Sequence, residues 1–173
     1  FVGNAIEPQM PEFARDLGYG GDGLYYSLLL AANAAGAMTA GIVLEAGSML
    51  PAKTRTSFIL GGLWALAILG FAISENFILA FALLMCAGFL DLSFNSMTRT
   101  LAQIYSPPEI RGRAIGLFNV CSLGFRTFSG FTIGFGGGLI GIHWSLAISA
   151  LILFTCIWIL LVWARSKRVM ENG

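Results

Sequence analysis

The chain has 173 residues, of which 57% are apolar and 11% charged, with a formal net charge of +1 and a mean hydropathy of +0.79. Soluble domains carry about 25% charged residues, so a soluble fold of this size would hold more apolar surface than it could bury. The near-neutral balance gives no ground for expecting a nucleic-acid partner, and lipid is the expected solvent.

Residues Phe1 to Ile6 read as the tail of an earlier apolar segment. No charged, apolar and cleavage regions follow one another there as in a signal peptide, and the sequence is expected to be part of a longer protein. Residues 7–23 form a polar stretch with Pro8, Pro11 and four glycines, expected as a loop. Five apolar segments follow, at about 24–50, 57–74, 76–98, 114–136 and 144–164, with a tail at 165–173. About 20 apolar residues suffice to cross the hydrocarbon core as a helix. Barrel strands would be shorter and would alternate. The run Phe77-Ile78-Leu79-Ala80-Phe81-Ala82-Leu83-Leu84 does not alternate. The expected fold is an all-α, polytopic bundle of transmembrane helices in one domain.

Charge placement orients the bundle. Lys53, Arg55, Arg99, Arg111, Arg113, Arg165, Lys167 and Arg168 fall in alternate connections, on one side. Arg15 is the one basic residue on the other side, among Glu7, Glu12, Asp16, Asp22 and Glu75. Basic residues favour the cytoplasmic side. The chain is expected to end in the cytoplasm and to lie in a plasma membrane of the bacterial inner-membrane kind. Its short connections imply antiparallel neighbours.

Lipid gives helices no hydrophobic drive to associate, so small residues that let backbones approach become the packing signal. Ala32, Gly36 and Ala40 form one such row; Ser122, Gly130, Gly134 and Gly138 form another. Cys86, Cys121 and Cys156 lie inside apolar segments, match no metal, haem or redox spacing, and read as packing residues.

Arg126 stands near the middle of the fourth segment, where a charge costs about 2.5–3.5 kcal/mol on insertion scales. Helical spacing puts Asn119, Ser122 and Ser129 on its face. That face is expected to point at protein or a cavity, either contacting a polar or anionic substrate or bonding a neighbouring helix. Asp91 shares a face with Asn95 and Thr98. It reads as a protonation or gating site, or as the partner of Arg99 or Arg113. Glu45 ends the first segment ahead of Lys53 and Arg55. Glu45, Asp91, Arg111 and Arg113 are together expected as a charge cluster near the inner membrane surface. His143, the only histidine, stands beside Trp144 at the outer end of the last segment, an interfacial position. No nucleophile–base pair, metal cluster or phosphate loop can be assembled, so no enzyme, cofactor or metal is expected.

The run Gln103-Ile104-Tyr105-Ser106-Pro107-Pro108-Glu109-Ile110-Arg111-Gly112-Arg113 resembles the link between helices ten and eleven of major facilitator superfamily transporters. The drug- and siderophore-exporter branches often show Pro-x-x-x-Arg-Gly-Arg there, matched here by Pro107, Arg111, Gly112 and Arg113. The stretch Gly41 to Gly47, followed by Lys53 and Arg55, resembles the family's loop between helices eight and nine, with Glu45 in place of the common Asp. The resemblance implies helices eight to twelve, a major-facilitator-like half whose partner is a preceding N-terminal half. It implies secondary active transport of a small molecule by alternating access, with a proton as a possible coupling ion. A non-transporting membrane scaffold or assembly factor is the other expectation.

Overall fold

The computed structural model describes residues 10–15, 23–46, 53–124 and 141–171. Among them all regular structure is helical, as the composition requires. We number the helices α1 (residues 10–15), α2 (Leu24–Ala46), α3 (Thr54–Ala72), α4 (Phe77–Tyr105), α5 (residues 111–124) and α6 (Ile142–Glu171). By length and composition α2, α3, α4 and the His143–Trp163 part of α6 can each cross a membrane. The fifth expected crossing lies only partly within the described residues.

Packing sets α2, α4, α3 and α6 in a row, each touching the next. Contacts at three levels fix the α3–α4 register: Leu83 approaches Gly70, Phe94 approaches Gly61, and Ser57 bonds Thr98. The two helices are therefore antiparallel and remain neighbours along the whole of α3. Against α6, Gly61 and Gly62 meet Ile157 and Phe154, and Ala72 meets His143. α2 runs parallel to α4, with Tyr25 edge-on to Phe77 at 5.3 Å and Gly41 opposite Leu92.

Several boundaries differ from the hydropathy pattern. α4 runs on from the expected residue 98 to Tyr105 because Arg99 to Tyr105 contains no breaker. It stops at Ser106, which is extended (φ −90°, ψ 126°), since Pro107 disfavours helical geometry in the residue before it. A turn closed by Ile110 N–H donating to the Pro107 carbonyl leads into α5, three residues earlier than expected. α6 continues through the expected tail to Glu171.

The larger departure is at residues 7–23, expected as a polar loop. Residues 10–15 form a helical turn whose Met10, Phe13 and Ala14 are buried while Pro11, Glu12 and Arg15 are exposed. The i, i+3, i+4 spacing supplies the apolar side. The Phe13 ring lies tilted against Phe71, 4.7 Å between centroids, and edge-on to His143 at 4.2 Å. The turn thus belongs to the main core, with Ile68, Phe71, Ala72 and Leu146.

Candidate functional site

Two tryptophans of α6 are spaced as the two interfaces of a bilayer would be. Trp144 and Trp163 are both exposed, and a rise of 1.5 Å per residue separates them by about 28 Å. That matches a hydrocarbon core of about 30 Å with an aromatic at each interface. Through the registers above, Trp144 lies near the level of Ala72, and α3, also about 28 Å long, fills the layer. The middle of α3 then faces α4 near Asp91, which has fourteen residues of α4 on either side.

Asp91 therefore lies at the middle of α4, opposite the middle of α3. Along α4 it stands about 21 Å of helix rise from Tyr105. One turn on, the Asn95 amide nitrogen donates to Asp91 Oδ1 and to the Asp91 backbone carbonyl, each at 3.0 Å. Both side chains are half-buried. Asn95 thereby holds one carboxylate oxygen in a set orientation on the helix surface.

Glu45, in the last turn of α2, and Arg111 and Arg113, in the first turn of α5, are exposed. Asn119 and Ser122 lie on α5 and are exposed. Arg126 and Ser129 lie outside the described residues, as do Gly130, Gly134 and Gly138.

Hydropathy reading gives no partner for three polar features. Asn33, in the middle of α2, lies against Gly88 of α4. The Ser57 and Thr98 hydroxyls meet at 3.1 Å between α3 and α4. Thr98 Oγ1 donates to the Phe94 carbonyl at 2.7 Å, which leaves Ser57 to donate to Thr98. The third is His143. It is half-buried, and its Nδ1–H donates to the Ala72 carbonyl at 2.8 Å. That carbonyl belongs to the last turn of α3 and has no partner within its own helix. Single polar residues in apolar runs were the available signal for all three.

Four helices long and apolar enough to cross a membrane, two of them joined by reciprocal glycine contact, are those of a polytopic integral membrane protein. The chain matches the family described as transmembrane secretion effector over residues 2–171, and it belongs to that family, within the major facilitator superfamily. Comparison with curated proteins returned no match, and neither did comparison with solved structures.

Proposed function

We propose that this chain contributes one wall of a secondary active transporter that moves a small molecule by alternating access. The family supports a transmembrane transport or secretion role. The observation that carries the finer reading is Asp91, oriented by Asn95 at the middle of α4, which this reading puts at mid-membrane depth. An acid at that depth is costly for folding alone and suits a cavity that is wetted in part of the cycle. In this reading Arg126, Asn119, Ser122 and Ser129 supply the facing polar stripe for a polar or anionic substrate group. Arginine fits such a role because it stays charged and can bond a carboxylate in two places. Glu45, Arg111 and Arg113 act at the cytoplasmic rim, the positively charged side. A preceding six-helix half supplies the opposite wall, in keeping with midplane sites formed between repeats.

The test is transport by the full-length protein in energised inside-out vesicles, with a panel of amphipathic drugs and siderophores as probes. Gradient-dependent accumulation that is lost in Asp91→Asn, at unchanged protein level, is the expected result. Unchanged accumulation in that variant would remove Asp91 from the mechanism. Absence of accumulation for every probe would favour a scaffold role.

A further inference from the structure

The two faces of α4 are built differently. Towards α2, backbone meets backbone. A Cβ placed at Gly36 would stand 2.8 Å from the Met85 carbonyl carbon and 3.0 Å from the Phe89 nitrogen, and it would collide with the Met85 carbonyl oxygen. One placed at Gly88 would collide with the Asn33 carbonyl oxygen and stand 2.8 Å from Asn33 Oδ1. Each glycine faces main chain of the other helix, so the contact is reciprocal. Displacing α2 along α4 would bring neighbouring residues bearing Cβ atoms into these two spaces, and the collision would be with backbone, which cannot turn aside.

Towards α3, side-chain ends meet. The space at Gly61 is filled by the Phe94 ring edge, with ring carbons at 3.1 and 3.3 Å. At Gly70 it is filled by Leu83 methyls at 3.3 and 3.5 Å. Ring and methyl ends can change rotamer as the helices slide. One side chain–side chain hydrogen bond, Ser57 to Thr98, crosses this seam among the described residues. Each hydroxyl has backbone carbonyls within its own helix as alternative acceptors, a use already made by Thr98.

We infer that α2 and α4 move as one body that shears against α3 along the α3–α4 seam. Packed helices sliding past one another by small steps is an established form of conformational change. The α2–α4 pair carries Asp91, so its displacement would move the carboxylate relative to α3. The inference deepens the transport reading and rests on it for its purpose, but the seam itself is measurable without transport.

Spin labels at the exposed positions Met38 of α2, Ile78 of α4 and Leu66 of α3 report the two interfaces. Cys86, Cys121 and Cys156 are exposed and are first replaced by serine. In liposomes the 38–78 distance should show one narrow population. The 66–78 distance should show two populations, separated by about 1–2 Å for a small shift and about 5 Å for a one-turn step. Joining the seam through a disulfide in S57C/T98C should collapse those two populations into one, and reduction should restore them. One narrow population for both pairs overturns the inference, as does a split 38–78 distance. A split 66–78 distance in protein that transports nothing would leave the seam standing and remove the transport reading.

Discussion

Gly88 of α4 lies against Asn33 of α2 so closely that an added Cβ would stand 2.9 Å from the Asn33 carbonyl carbon. The approach brings main chains into contact and puts Cα–H groups near carbonyl oxygens, a weak attraction that recurs at helix–helix interfaces. In lipid this close van der Waals contact is a principal force holding the pair.

Gly88→Ala and Gly36→Ala should therefore each lower the yield of folded protein sharply, by pushing two backbones apart. Thermal unfolding in detergent, followed by size-exclusion of the soluble fraction, would read the loss. Gly116→Ala is the control, since among the described residues nothing beyond its own helix backbone and its chain neighbours lies within 4 Å of a Cβ there. It should be neutral or stabilising by up to about 1 kcal/mol, the helix-propensity difference.

Phe13→Ala should destabilise the bundle by about 3 kcal/mol, as for a buried aromatic truncated to a cavity. Phe13 is 1% exposed and touches both Phe71 and His143. Arg15→Ala, on the exposed side of the same turn, should change stability by less than about 0.5 kcal/mol. Denaturant unfolding of the two variants side by side separates a packed turn from a passive loop.

His143→Ala should cost on the order of 1 kcal/mol or more, by leaving the Ala72 carbonyl without its partner. His143→Asn keeps an N–H donor and should recover part of the loss. Equal losses in the two variants would assign the effect to ring packing on Phe13 rather than to the hydrogen bond.

Thr98→Val and Ser57→Ala should each cost little, and a double-mutant cycle should give a coupling of about 0.6 kcal/mol, typical of hydroxyl bonds between membrane helices. Zero coupling would mean that each hydroxyl is satisfied within its own helix.

Arg126→Lys keeps the charge and removes the fork. If Arg126 binds substrate, the variant should express and insert normally while transport falls. Loss of folded protein would assign it to structure. Fluorescence-detected size exclusion together with the vesicle assay distinguishes the two.

Much of the bundle was legible from residue order alone. Helix formation follows from apolar runs too long for strands, and the row Ala32, Gly36, Ala40 marked the face of α2 that is buried in the structure. The end of α4 was misjudged because polar residues near 98 resemble a membrane boundary. The helix instead runs on to the break imposed by Pro107. The turn at residues 10–15 was hidden by its charged neighbours, although Pro11 in the first turn and apolar residues at 10, 13 and 14 were its signal. Which helices touch was not legible, because α2 lies beside α4 rather than beside its sequence neighbour α3. Small residues show that a face is covered but not by what.

The unequal lengths of the central helices carry a last consequence. α3 has 19 residues and α4 has 29, a difference of about 15 Å of rise. A thicker bilayer would stretch past the ends of α3 while α4 still had length to spare, and a thinner one would tilt α4 first. The lipid layer therefore pulls unequally on the two helices that meet at Ser57 and Thr98, and acyl-chain length becomes a mechanical load on their alignment.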